Sequence, residues 1–267
     1  MYKEFYGLEF NPFSKELDTK KYFNSNDFTQ VTGRLEHLKN IKGLGLITGS
    51  PGTGKTYSIR HFLNSLNPSL YKVSYTALST LTVLEFYKSL AYGLGIDPAN
   101  KKVDIFRQIQ DSIITFSKEK KITPVIVVDE SQHLKVDVLN DLKILLNFNI
   151  DSSSPAILIL AGQPVLNNTL SRNVHDPLAQ RIVINYNFKG LTNDEIKEYI
   201  QTRLKIAGVN TPIFNENALE VIASSSNGSV RKVNNLVENC LLAGFNQKQL
   251  NIDEEIVYLA KNEIDLI

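Results

Sequence analysis

The sequence lacks the features that define several protein classes. Its single cysteine, Cys240, cannot form an internal disulfide, and there is no Cys-x-x-Cys pair or spaced histidine group to suggest a structural metal. That usage fits a reducing compartment, so a cytoplasmic location is expected. No apolar run approaches the ~18–20 residues that cross a bilayer. The start, Met1-Tyr-Lys-Glu-Phe, has neither the cationic nor the apolar part of a secretory signal, so direct membrane insertion is not expected. A strong charge of one sign is also missing. The net charge is +1, and a balance of that kind does not by itself mark a nucleic-acid binder. Residues 189–267 carry 8 Lys/Arg against 11 Asp/Glu, which leaves a modest basic surplus in the front of the chain. No internal repeat or low-complexity tract is visible.

What is present is a chain of 267 residues, 42% hydrophobic and 21% charged. That is enough for one large domain or two smaller ones with a sizeable core. Turn signals at Asn11-Pro12 and Asn24-Ser25-Asn26 precede a helical stretch around Asp27–Asn40. Five short apolar runs follow: Leu44–Thr48, Tyr71–Tyr75, Pro124–Val128, Ala156–Ala161 and Ile182–Phe188. They read as buried strands. Segments such as Ser58–Leu66, Val103–Lys118 and Val136–Phe148 have helical spacing, and such alternation predicts a parallel α/β sheet. Beyond Gly190 no strand is predicted. Thr192 with Glu195 resembles a capping box, and helices are expected at Asp194–Ala207, Glu216–Ser224, Val230–Phe245 and Asp253–Ile264. The expected organisation is an α/β domain over 1–189, including an N-terminal segment 1–40, and a helical domain over 190–267.

The chemistry concentrates in two motifs. Gly49-Ser50-Pro51-Gly52-Thr53-Gly54-Lys55-Thr56, followed by Tyr57, matches the P-loop pattern and lies between a predicted strand and a predicted helix. Its glycines let backbone N–H groups face phosphate oxygens. Lys55 supplies a charge for the β- and γ-phosphates, Thr56 a hydroxyl for Mg²⁺, and the helix its positive end. The run Val125-Ile-Val-Val-Asp129-Glu130 ends a strand in two acids. Asp129 is expected to orient Mg²⁺ through its water shell and Glu130 to polarise an attacking water. An activated water argues against a small-molecule kinase. Three further polar positions fall at element boundaries: Gln163 after the fourth strand, Arg181 before the fifth, and Arg231 at a helix start.

Taken in order, these features resemble the AAA+ ATPases. That resemblance implies a five-stranded sheet in order 5-1-4-3-2, sandwiched by helices, with a C-terminal helical lid. It also implies roles: Gln163 as sensor 1, although Asn or Thr is more usual there, Arg181 as the arginine finger and Arg231 as sensor 2. Arg172 is a nearby competitor for the finger. A finger acts in trans, contributing ~10³–10⁵ in rate in the best-studied cases, so a homo-oligomer is expected.

Nearly the whole chain also resembles the ATPases often called ExeA-like. The likeness is carried by Phe5-Tyr-Gly-Leu-x-x-Asn-Pro-Phe13, Gly49–Thr56, Asp129-Glu-Ser-Gln-His-Leu134, Leu145-Leu-Asn-Phe148, Ala161-Gly-Gln-Pro164, Gln180-Arg-Ile182 and Gly228–Arg231. Such proteins serve secretion, or assist transposases in the manner of MuB-, TnsC- and IstB-like helpers. The sequence ends after the predicted lid without the membrane span and cell-wall region of longer secretion relatives, which favours transposition. Residues 72–121 hold room for two helices and carry 8 Lys/Arg against 5 Asp/Glu. Lys88, Lys101 and Lys102 are therefore candidate contacts to the phosphates of duplex DNA. The function implied is an ATP-dependent ATPase that oligomerises on DNA and recruits a transposase; the alternative is an ExeA-type role at a membrane or cell-wall complex. The N-terminal aromatics Phe5, Tyr6, Phe10 and Phe13 fit either core packing or a wall around adenine. His133 and Asn147 fit the family pattern without a derivable role, and His133 reads as structural rather than as a base.

Overall fold

The computed structural model describes residues 1–14, 22–77, 81–145 and 154–265. In chain order the first elements are α1 (Tyr2–Phe5), α2 (Asn26–Ile41), β1 (Gly43–Gly49), α3 (Lys55–Ser65), β2 (Tyr71–Thr76), α4 (Val83–Leu94) and α5 (Lys102–Ile114), with a π turn over Thr115–Glu119. Then come β3 (Thr123–Val128), a 3-10 turn (Ser131–His133), α6 (Val136–Leu145), β4 (Ile157–Gly162), α7 (Val165–Leu170), a second 3-10 turn (Asn173–His175), α8 (Asp176–Ala179) and β5 (Ile182–Phe188). Four helices follow: α9 (Asn193–Ile206), α10 (Glu216–Ser226), α11 (Val230–Asn246) and α12 (Glu254–Asp265). The predicted helix over Val136–Phe148 is seen to Leu145. Its last residues, with Asn147, lie outside the described residues.

The strands pair in parallel in the order β2-β3-β4-β1-β5, the expected 5-1-4-3-2 arrangement. Alternation along each strand explains why both faces are covered. Ile126, Val128, Leu158 and Leu160 enter one core with Phe86, Tyr87 and Leu90 of α4 and Ile105, Ile109 and Ile113 of α5. Val125, Val127, Ile157 and Ile159 enter the opposite core with Val31 and Leu35 of α2 and Ile59 and Phe62 of α3. The central β4 is buried throughout, whereas the edge strand β5 alternates and exposes Val183. Both helices predicted between β2 and β3 are present, and α4 starts with a capping box from Thr82 and Glu85.

The described residues divide into two compact units. Gln30–Gly49 and Lys55–Phe188 form the sheet unit; Met1–Thr29, Ser50–Gly54 and Lys189–Ile267 form the helical unit. This corrects the expected grouping of segment 1–40 with the sheet, because its first part is built into the helical core. Tyr6, Leu8 and Phe13 are buried there with Ile196, Tyr199, Ile200 and Leu241, and Phe5 and Phe10 pack against the same cluster. The Tyr6 hydroxyl donates to the Gln249 carbonyl at 2.9 Å, and the Asn11 amide donates to Glu238 at 2.7 Å. Asp27, 5% exposed, accepts from the backbone N–H groups of Lys189 and Gly190 at 2.9 and 2.8 Å. Core packing thus accounts for all four aromatics. The expected Thr192–Glu195 capping box opens α9.

Candidate functional site

Parallel strands bring their C-terminal ends to one edge of a sheet, and in open α/β sheets that edge is where ligands bind. In the sheet unit the polar residues gather there. β1 ends at Gly49, and α3 starts at Lys55, whose buried ammonium donates to the Gly49 carbonyl at 2.7 Å. Thr56, one residue on, donates its hydroxyl to Asp129 Oδ2 at 2.8 Å. Asp129 follows β3, is 4% exposed, and receives a second hydroxyl on the same oxygen, from Tyr75 at 2.7 Å. Its other oxygen accepts from the Glu130 N–H at 2.9 Å. Burial, the hydrogen bond to Asp129, and the charges of Asp129 and Glu130 together push the Tyr75 hydroxyl well above its ordinary pKa, so it stays a donor.

Thr56 and Asp129 therefore meet through oxygen atoms alone, a donor set that suits a hard cation such as Mg²⁺. Glu130 stands beside them with an exposed side chain, on a backbone in the left-handed region at φ 52°. Gln132 donates to its carboxylate at 2.6 Å and accepts from the Gln163 backbone N–H at 3.0 Å. Farther along the same edge, Asn167 donates to the Thr48 hydroxyl at 3.0 Å, which donates to Asn187 at 3.1 Å. His133 is exposed in the 3-10 turn, and its backbone N–H bonds the Glu130 carbonyl.

In the helical unit the loop Ser50–Gly54 is held by its own contacts. Thr53 donates to the Ser50 carbonyl at 2.8 Å, while Gly52 (φ 81°) and Gly54 (φ 102°) adopt conformations that favour glycine. A Cβ on Gly52 would collide with Ser229 Oγ and lie 2.9 Å from Arg231 Cβ, so only glycine fits. The Arg231 N–H donates to the Gly52 carbonyl at 3.3 Å. The structure thus brings Arg231 to the glycine loop, and Ser229, which caps α11, lies there as well. Ser50 and Pro51 are exposed on the loop; Tyr57 lies on α3 under the Arg60 guanidinium, 5.6 Å from its ring centre.

Other predicted residues are not brought together. Arg181 immediately precedes β5, whose Ile182 pairs with Leu44, whereas Gly49 pairs with Phe188. Five residues of strand separate the two levels, about 17 Å at ~3.3 Å per residue. Arg172 is exposed before the second 3-10 turn. Lys88 is half-buried and Lys101 exposed, while Lys102 is ion-paired with Asp141 at 2.6 Å. That pairing weakens the case for Lys102 as a phosphate contact.

Tyr75, Gln132 and Asn167 escaped the sequence reading. Tyr75 looked like an ordinary strand residue, and only sheet order sets it against Asp129. Gln132 lay within the motif Asp129–Leu134, but its partner is 31 residues away. No cluster of His, Cys, Asp or Glu suited to a metal was found among the described residues, and no helix among them is long and apolar enough to cross a membrane.

The model of the AAA domain matches residues 39–170. General secretion pathway protein A of Aeromonas hydrophila is 30% identical over 99% of this chain, and the match covers 48% of that protein. The ATP-dependent target DNA activator B of Escherichia phage Mu is 22% identical over 91% of the chain and 77% of its own length. The chain thus spans about half the length of the secretion relative. Among solved structures, Cdc6p from Pyrobaculum aerophilum overlays with a TM-score of 0.72 at 17% identity, covering 94% of this chain and 70% of that one. Residues 39–170 thus match the AAA domain, the whole chain is similar to the ExeA-like proteins, and its fold is that of the solved structure.

Proposed function

We propose that the chain hydrolyses ATP to ADP and phosphate, and that ATP binding drives it to assemble as a ring or filament on duplex DNA. The hydrolysis reading is carried by one observation: Thr56 and Tyr75 converge on a single oxygen of Asp129, beside Glu130. Gly49–Thr56 receive the phosphates through backbone N–H groups, and Lys55 adds its charge. Thr56 and Asp129 would hold Mg²⁺, which would supply charge neutralisation at the phosphates. Glu130 accepts the proton of the attacking water and Gln163 orients the terminal phosphate, while Arg231 serves the loop Ser50–Gly54, whose Gly52 carbonyl its N–H meets. Arg181 lies about 17 Å along the sheet from its own Gly49 level, which supports a role at a neighbouring copy. Residues 190–267 act as the lid.

Assembly on DNA is supported by the relatives named target DNA activator B, matched over most of this chain. Lys88 and Lys101 are the proposed phosphate contacts, repeated by each copy so that modest individual terms sum along the strand. The proposed partner is a transposase. A second reading, a role at a secretion complex, is favoured by the 30% identity to General secretion pathway protein A over nearly the whole chain.

The test is sedimentation and negative-stain imaging with a non-hydrolysable ATP analogue, with and without duplex DNA. Assemblies on DNA that vanish with ADP or in Lys55→Ala are expected. Nucleotide binding with no DNA association at low and moderate salt sinks the DNA reading and favours the secretion one.

A further inference from the structure

We propose that Gln132 is a positioning residue, which ties the carboxylate of Glu130 to the end of β4 and so sets the rate of the hydrolytic step. The inference rests on the ATP hydrolysis proposed above and deepens it.

Three observations carry it. Glu130 sits in the left-handed region (φ 52°, ψ 35°), which is unfavourable for a residue with a Cβ, and such strain is retained where the surroundings hold the residue in place. The turn that holds it is closed by the Ser131 hydroxyl on the Val128 carbonyl at 2.6 Å and by the His133 N–H on the Glu130 carbonyl at 3.1 Å.

The second observation is the use of both ends of the Gln132 amide. Its oxygen accepts from the Gln163 backbone N–H, so its NH₂ group must face the Glu130 carboxylate, which it meets at 2.6 Å. A flipped amide would set oxygen against carboxylate and donor against donor, so the network fixes one orientation.

Third, the room for this arrangement comes from a glycine. A Cβ at Gly162 would lie 2.7 Å from Gln132 Oε1 and 3.2 Å from its backbone nitrogen. The φ of Gly162 is not the reason for a glycine there; the close approach of Gln132 is.

One neutral amide therefore links the residue that takes the proton to the backbone of Gln163, the residue proposed to read the terminal phosphate. A small displacement at the end of β4 is passed to Glu130 through this amide. In this role Gln132 acts only through Glu130.

The test uses the full chain with ATP, Mg²⁺ and duplex DNA, at concentrations where the parent protein turns over. Gln132→Met keeps the length and bulk of the side chain and removes both hydrogen bonds. It is expected to lower kcat on the order of 10–100-fold, since misplacement of a catalytic group costs about that much, with nucleotide Kd and thermal midpoint unchanged. Gly162→Ala, which displaces the amide from the other side, is expected to lower kcat in the same way. In a Glu130→Gln background, Gln132→Met is expected to add no further loss, because the two act as one unit. Unchanged kcat in Gln132→Met overturns the inference while leaving the ATPase reading intact, as does a loss that appears in Kd or in the thermal midpoint. An equal further loss in the Glu130→Gln background overturns it too. A parent protein that binds ATP and never hydrolyses it overturns the ATPase reading, and this inference falls with it.

Discussion

The two units of the molecule use polar side chains differently. In the helical unit they begin helices: Thr192, Asn215 and Ser229 each accept from a backbone N–H in the first turn of α9, α10 and α11. Such caps stabilise by ~0.5–2 kcal/mol each and do no chemistry. In the sheet unit the buried polar residues Thr48, Thr76, Asp129 and Ser131 collect at the C-terminal ends of β1, β2 and β3. There they bond one another and residues beyond the strands, where a core of Val, Ile and Leu supplies rigidity. Both units cap helices with polar side chains, as Thr82 does at α4, but the sheet unit also uses them to build a polar edge.

The comparison predicts which substitutions alter turnover and which alter stability. The largest effect is expected from Glu130→Gln in the sheet unit: ATP turnover falls ~10²–10⁴-fold, the range of general-base contributions. Nucleotide binding and thermal midpoint hold, and assemblies persist in an ATPase assay with parallel sedimentation. Normal turnover removes Glu130 from the mechanism. Next comes Asp27→Ala in the helical unit. It leaves two backbone N–H groups without their carboxylate, and is expected to cost ~1–3 kcal/mol in denaturant unfolding. Tyr75→Phe sharpens the contrast within the sheet unit. Asp129 keeps Thr56 but loses the Tyr75 hydroxyl, so the Mg²⁺ concentration at half-maximal activity should shift several-fold, with stability changed by ~1 kcal/mol or less.

The smallest prediction breaks the pattern. His175 is 1% exposed in the sheet unit, away from the strand ends, and neither ring nitrogen has a hydrogen-bond partner. Burial, then the charges of Arg172 and Lys143, hold its pKa below the ordinary 6.5. The folded chain therefore keeps it neutral, while the unfolded chain takes up a proton near 6.5. Its contribution is fully present above that value and is lost as pH falls from there toward the lower folded value. His175→Leu should flatten the decline in unfolding free energy over that window, and an unchanged decline removes His175 as its source.

The sheet was legible because its inner strands have two covered faces, which writes a continuous Val/Ile/Leu run such as Val125–Val128 into the sequence. The P-loop was legible because its parts are contiguous. The rest depends on partners distant in the chain. Nothing near Tyr6 or Phe13 announces that their neighbours are Tyr199 and Leu241, so the first part of the segment 1–40 was grouped with the sheet, whereas residues 30–40 do belong there. Tyr75 and Asp129 are 54 residues apart and meet because β2 lies beside β3. Residue type alone does not tell a hydroxyl aimed at a carboxylate from a tyrosine on an edge strand.

The position of Arg181, at the far end of β5 from the glycine loop level, has a numerical consequence under its proposed role. If each copy lends its arginine to the next, contacts run head to tail. A closed ring of n copies then has n complete sites, but an open filament has n − 1, because its last copy faces no donor. Activity per protomer would rise with filament length, steeply for short filaments, and level off once the unserved end is a small fraction of the whole. A cut filament would lose one working site at every break.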